Sequence, residues 1–242
     1  MSKKIGLTGL CFIAAAVIFG ACAKRGPEIA LMARLKEVPM SSKATTLKGL
    51  AYVTAEKNGI KWANNVSVIV KLPDMIRLDA IERISDVVAT LAVKDGKGVL
   101  ELPLDGEVIK IDDGYVVLPR LGKIPISTEK FAQILCGRPL VEGGAVVSEA
   151  YTTDRGSYFI KGRVDEMEMS SKEKMPLVYS KYEDGNKKRL LYEAAFDDFI
   201  TSGGDGFPRH IVIRFERPKF LMEINYSGLD AGIKVHEGLF VR

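Results

Sequence analysis

Histidine, cysteine and tryptophan are scarce, with two, three and one among 242 residues. Neither His210 nor His236 has a serine or cysteine beside it in a nucleophile setting, and no Cys/His or His-x-x-x-His spacing offers a zinc site. Each histidine reads as a surface or edge residue, His210 just before a strand and His236 in a late turn. Phosphate-loop chemistry is missing too, because Gly203-Gly204-Asp205-Gly206 has no lysine and no strand-to-helix context. Asp112-Asp113 and Asp197-Asp198 are not alternated as a calcium loop requires. Only paired carboxylates, which meet in three dimensions, escape a test by spacing. Excess charge is also absent. Basic residues number 35 against 31 acidic, and two of the surplus positives, Lys3 and Lys4, stand at the extreme N terminus. That balance leaves no footprint for nucleic acid and no polybasic membrane patch. The expectation is a protein that is not an enzyme and needs no cofactor or metal.

Long hydrophobic runs are limited to one. Ile5 to Phe19 is apolar except at Gly6, Thr8 and Gly9, and it follows Lys3-Lys4 and precedes two small residues. Basic, then apolar, then small is the order of a secretory signal peptide, and the run falls short of the ~20 residues that span a bilayer as a helix. Phe19-Gly20-Ala21-Cys22 resembles the lipobox of bacterial lipoproteins, with Phe19 where Leu is commoner. The resemblance implies that residues 1–21 are a leader and that Cys22 carries a diacylglycerol. Ala23-Lys24 after it, rather than Asp, resembles an outer-membrane address. The expected location is therefore the outer membrane, lipid-anchored and facing the periplasm. Cys11 would leave with the leader and Cys22 would carry lipid, so Cys136 has no disulfide partner. Stability has to come from a core, and Cys136, beside Ile134 and Leu135, reads as a small buried hydrophobe.

Residues 22–46 read as a tether and an N-terminal helix. Ile29, Met32, Leu35 and Val38 share a helical face over about 28–38, with Pro27 at its start and Pro39 at its end. From 47 to 242 the period changes to two. Val66, Val68, Val70 and Leu72 share one strand face, as do Ile76, Leu78 and Ala80. Ile211, Ile213 and Phe215 repeat the pattern, and so do Phe220, Met222, Ile224 and Tyr226. One apolar and one mostly polar face mark an antiparallel sheet. Asp95-Gly96, Asp105-Gly106, Asp113-Gly114 and Asp184-Gly185 read as hairpin turns, and about ten or eleven strands are expected. One interior helix is predicted. Ser127 or Thr128 caps it, Phe131, Ile134 and Leu135 form its apolar stripe, and Gly137 with Pro139 ends it. Asp165 to Lys174 is compatible with a helix or a mobile loop. A one-sided sheet of this length has more apolar face than two short helices cover, so it should curl into a half-open barrel with helices in its mouth. The fold class is mainly β with few helices.

Ile124-Pro125-Ile126-Ser127, the short helix and Leu135-Cys136-Gly137-Arg138-Pro139 together resemble the LolB-like and LolA-fold lipoproteins of the lipoprotein-localisation family. The order of elements agrees over most of residues 47–242, including Phe207-Pro208-Arg209-His210-Ile211 in the closing strands. The chain departs from the family in having Phe131 and Gln133 where the helix usually carries a Trp. Tyr115 to Lys123 is also too short and too Pro/Gly-punctuated for the family's second lid helix. The resemblance implies an unclosed barrel, lidded by helices, that accepts the acyl chains of lipoproteins or lipids from a periplasmic LolA-like carrier and passes them to the membrane. It also places Ile84 at the tip of a membrane-touching loop, while the alternative has Ile81 and Ile84 packed inward.

Candidate walls of an acyl cavity are Val68, Val70, Ile76, Leu78, Phe220, Met222 and Ile224, with Phe131, Ile134 and Leu135 on the lid helix. Trp62 reads as core or cavity wall, with core favoured. The expected function is a monomeric, membrane-anchored acceptor of acyl chains. The alternative is a non-catalytic structural or interaction lipoprotein of the same fold with a filled core.

Overall fold

Alternation of apolar and polar residues carries most of the chain into one sheet. The computed structural model describes residues 44–82, 86–139, 149–153, 155–170, 175–183, 186–202 and 205–240. The leader, Cys22, the expected helix over 28–38, Ile84 and the Asp184-Gly185 turn lie outside the described residues. The first run of strands is β1 (Thr46–Lys57), β2 (Ile60–Lys71), β3 (Met75–Ile81), β4 (Val87–Lys94), β5 (Lys97–Leu102) and β6 (Glu107–Ile111). A hairpin of β7 (Tyr115–Leu118) and β8 (Gly122–Ser127) follows, then α1 (Thr128–Leu135). The second run is β9 (Glu149–Thr152), β10 (Ser157–Lys161), β11 (Asp165–Ser170), β12 (Pro176–Glu183), β13 (Asn186–Ser202), β14 (Asp205–Phe215) and β15 (Phe220–Ala231).

Thirteen of these strands form one antiparallel sheet in the order β6-β5-β4-β3-β2-β1-β15-β14-β13-β12-β11-β10-β9. Two meanders are thus joined where the first long strand pairs with the last. Strands β6 and β9 are edges that do not pair with each other, so the barrel is unclosed. The two-stranded β7–β8 sheet stands apart from it.

The strand total exceeds the expected ten or eleven because the additional strands are short. Strands β7 and β9 have 4 residues and β10 has 5, too few for an alternation to be counted. Asp165 to Ser170 is strand β11 rather than a helix or loop, and residues 171–174 are outside the described set. Its Asp-Glu-Met-Glu-Met-Ser alternation puts Asp165, Met167 and Met169 inward. His210 lies within β14, not before it.

Inner and outer faces follow the two-residue period. Ala51, Val53 and Ala55 of β1, Val66, Val68 and Val70 of β2, and Ile211, Ile213 and Phe215 of β14 are buried. So are Phe220, Met222, Ile224 and Tyr226 of β15. An aromatic row crosses four strands on this face, Tyr179 to Tyr192 to Phe215 to Phe220, with ring centroids 6.1, 5.2 and 5.4 Å apart. Asp95-Gly96 forms a two-residue turn with both φ values positive, 53° and 72°. Asn58-Gly59, between β1 and β2, does the same at 52° and 84°. Both fit the primed turns whose twist matches the strands they join.

Part of the outer face is covered as well. A 3-10 turn, Glu237–Phe240, packs on β3 and β4. Phe240 is buried, and so is Ala92, although Ala92 lies on the outward phase of β4. Glu237 accepts from Lys71 Nζ at 2.6 Å and from Lys94 Nζ at 2.9 Å, and Arg77 Nη1 donates to the Leu239 carbonyl at 3.1 Å. The hydrogen bonds from Lys71 and Lys94 pull the Glu237 carboxyl from 4.5 down to about 2. Because the folded value is depressed, the tie is fully present above pH ~4.5 and is lost as the pH falls through about 2. The protection factor of the Leu239 amide, its hydrogen-exchange rate corrected for intrinsic pH dependence, should fall over that acid window in the native protein and stay constant in Glu237→Gln.

Candidate functional site

The concave side of the sheet is filled by α1 and the β7–β8 hairpin. Ser127 caps the helix, its hydroxyl oxygen accepting from the Lys130 amide at 3.2 Å. At the other end the Arg138 amide reaches back to the Gln133 carbonyl at 2.7 Å and the Gly137 amide to the Ile134 carbonyl at 2.8 Å. Those two bonds are a Schellman closure, with Gly137 at φ 63° in the left-handed position it requires. Tyr226 Oη donates to the Leu135 carbonyl at 3.3 Å, which satisfies a further helix end group. Every residue of α1 except Glu129 is buried. A helix buried almost all round works as a plug inside the curl rather than a cover resting on it.

An apolar cavity remains under this plug. Its volume is about 30 Å³, and it is lined by Val53, Trp62, Val66, Val68, Leu78, Ala80, Ala89, Leu91, Leu100, Leu118, Pro119, Phe131, Leu135, Met222 and Ile224. Of the residues expected as walls, Val68, Leu78, Met222 and Ile224 meet here, with Phe131 and Leu135 from the helix. Val70, Ile76 and Phe220 are buried elsewhere in the core, Phe220 in the aromatic row, and Ile134 is buried without reaching the cavity. Trp62 is a wall and half-buried rather than deep core. A space of about 30 Å³ has only the size of one or two waters. Ligand pockets run to roughly 300–1,000 Å³, so the interior is close to filled in this form.

The opposite flank of the helix is polar. Lys130, 5% exposed, points its ammonium at the Tyr179 ring, 5.2 Å from the centroid. The Tyr179 hydroxyl donates to Asp165 Oδ2 at 3.1 Å, with Asp165 itself 1% exposed. Sequence reasoning missed this cluster, although Lys130 stands four residues before Ile134 and so shares its helix face. Cys136 is buried, and burial pushes its thiol up to about 12, so it stays protonated and inert.

The remaining candidates for chemistry are on the outer surface. His210 sits between Asp197, whose Oδ1 is 2.7 Å from Nδ1, and Glu223, whose Oε1 is 3.1 Å from Nε2. This cluster ties β13, β14 and β15 together on the wet face. Among the described residues, no group of three or more His, Cys, Asp or Glu side chains could hold a metal ion. No helix among them is long and apolar enough to cross a membrane.

No family model matches the chain, and no curated protein matches it in sequence. Solved structures do match in shape. A LolA superfamily protein from Nitrosomonas europaea aligns over 90% of this chain and 99% of its own, at TM-score 0.55 and 11% identity. The fold is LolA-like. A domain from Vibrio parahaemolyticus described as an outer membrane lipoprotein-sorting protein aligns over 88% and 95%, at TM-score 0.53 and 11% identity. A DUF1329 family protein from Desulfovibrio piger reaches TM-score 0.58 at 12% identity, over 87% of this chain and 94% of that one.

Within this LolA-like fold, two stretches far apart in sequence come together. A Cβ added at Gly137 would collide with the Pro208 ring, and the Arg138 guanidinium stands 5.9 Å from the centroid of the Phe207 ring. The Gly137-Arg138-Pro139 end of the helix is thus seated on Phe207-Pro208 of β14. The covering unit before the helix is the β7–β8 hairpin, in keeping with Tyr115 to Lys123 being too short for the family's second lid helix. Gly137→Ala should cost about 2–4 kcal/mol, from a left-handed residue gaining a Cβ and from overpacking against the proline ring. Urea denaturation followed by circular dichroism would measure it.

Proposed function

We propose that this protein is a non-enzymatic, membrane-anchored lipoprotein of the bacterial envelope that binds acyl chains inside its LolA-like half-barrel. The observation that carries the reading is the wholly apolar cavity between α1 and strands β1 to β5 and β15. A cavity of about 30 Å³ takes no acyl chain, so the ligand must displace the plug. Re-exposing Phe131, Ile134 and Leu135 costs roughly 5–9 kcal/mol at ~1.5–3 each. Burying about 15 methylenes returns roughly 12 kcal/mol at ~0.8 each. The exchange is close enough to balance for a carrier to load and unload.

The finer role proposed is receipt of acylated protein from a periplasmic LolA-like carrier and its insertion into the outer membrane. The solved lipoprotein-sorting and LolA superfamily structures support it at the level of fold. Cys22 would carry the anchor, the protein acting as a monomer. Ile84, in the link between β3 and β4, would touch the bilayer. Cys22→Ser should abolish incorporation of labelled palmitate and leave the leader uncut, as read by gel shift and intact mass. Incorporation into the variant would remove the anchor from the reading.

The small cavity volume favours a second reading, a structural or interaction lipoprotein whose interior stays filled. One titration separates the two. A soluble form lacking residues 1–22 should bind a fluorescent acyl probe saturably, and Ala89→Leu, which fills the cavity, should weaken binding about tenfold, or ~1.4 kcal/mol, without loss of folding. A folded protein that binds no probe favours the filled scaffold.

A further inference from the structure

A second cavity, about 280 Å³, opens at the rim of the half-barrel, walled by the first residues of β2 and β4, by Glu82 after β3, and by the β5–β6 and β7–β8 turns. Its walls include Lys61, Asn64, Glu82, Asp105 and Arg120 beside Leu102 and Leu104, so it is polar and apolar by turns. Trp62, Ala89 and Pro119 line both this cleft and the apolar cavity within. These three residues are therefore the partition between a wet antechamber and the greasy interior.

The tip of the β7–β8 hairpin closes over that partition. Pro119 and Arg120 form the tip, with the Leu121 amide bonded to the Pro119 carbonyl at 2.7 Å and Arg120 at φ 62°. Leu121 is buried, which draws the tip inward. Lys57, the last residue of β1 and in phase with inward-facing Val53 and Ala55, donates from Nζ to the Leu121 and Lys123 carbonyls, both at 2.8 Å. Neither carbonyl belongs to the main sheet, so this lysine fastens the separate hairpin to the barrel wall.

Resting on the acyl-binding reading above, we propose that the cleft is the port through which an acyl chain reaches the interior, with Trp62 and Pro119 as its gate and Lys57 as its latch. The occupant is a hydrocarbon chain whose polar head stays in the cleft. The two cavities adjoin at this wall, and a chain that passes Trp62 meets Leu78, Leu91 and Leu100 with no polar residue between. The mixed lining of the cleft suits a head group and does not suit the chain. Lifting the tip breaks two hydrogen bonds from one side chain and leaves the thirteen-stranded sheet intact.

Trp62 is the single indole in the chain, so its fluorescence reports the gate without labelling. Soluble protein lacking residues 1–22 would be titrated with a mid-chain brominated fatty acid and with its unbrominated parent, alongside displacement of the fluorescent acyl probe. The expected result is saturable quenching by the brominated chain alone, in step with probe displacement. Lys57→Met, which keeps the aliphatic stem and removes the two donors, should quench several-fold faster by stopped flow while keeping its fold by circular dichroism. Probe displacement without quenching would overturn the port and leave acyl binding standing. Quenching at an unchanged rate in Lys57→Met would overturn the latch. Neither displacement nor quenching by folded protein would overturn both the port and the acyl-binding reading.

Discussion

A long antiparallel sheet that is apolar on one face has to hide that face, and this need organises the molecule. Thirteen strands supply far more apolar surface than an eight-residue helix and a short hairpin can cover from outside. Curling the sheet around those two elements turns the problem inward, because each buried side chain of the plug then meets sheet on several sides. The helix consequently tolerates burial almost all round. That burial is affordable only because its ends are satisfied, by the Ser127 cap, the Gly137 closure and the Tyr226 hydroxyl.

The interior so formed has two unlike flanks. Toward β1 to β5 the plug meets aliphatic side chains, whose attraction has no direction and can be replaced by any hydrocarbon. Toward β11 and β12 its Lys130 meets the Tyr179 ring, which Asp165 holds by a hydrogen bond, and such contacts are directional and matched by no hydrocarbon. Removing one partner from a buried charged contact is costly because the charge left behind is uncompensated. A plug held by geometry on one side and by replaceable grease on the other suits a protein that exchanges its own side chains for a ligand's methylenes.

Particular residues show why some features were legible in advance. The strand faces at Val66 to Val70, Ile211 to Phe215 and Phe220 to Tyr226 could be read because a period of two assigns each residue to a face without reference to its neighbours in space. Helix α1 could be read because its cap, stripe and stop are local. Short strands such as β7, β9 and β10 could not, since four or five residues carry no countable period. Lys57 and Lys130 sit on inward phases that the same arithmetic would have flagged, but a lysine at a strand end or beside a glutamate is commonly solvated, and only the position of the partner decides otherwise.

By itself the sequence determined the class of fold, the inward and outward faces, the place and ends of the helix, and the burial of Cys136, all consequences of periodicity and local hydrogen bonding. Tertiary structure alone decided that Gly137 rests on Pro208, that Lys57 reaches the hairpin, and that Trp62 divides the cleft from the cavity. It alone decided, too, that the interior retains only about 30 Å³. The physical reason is that an internal volume is a small difference between the space a curled sheet encloses and the side chains that occupy it. No periodicity along the chain encodes that difference.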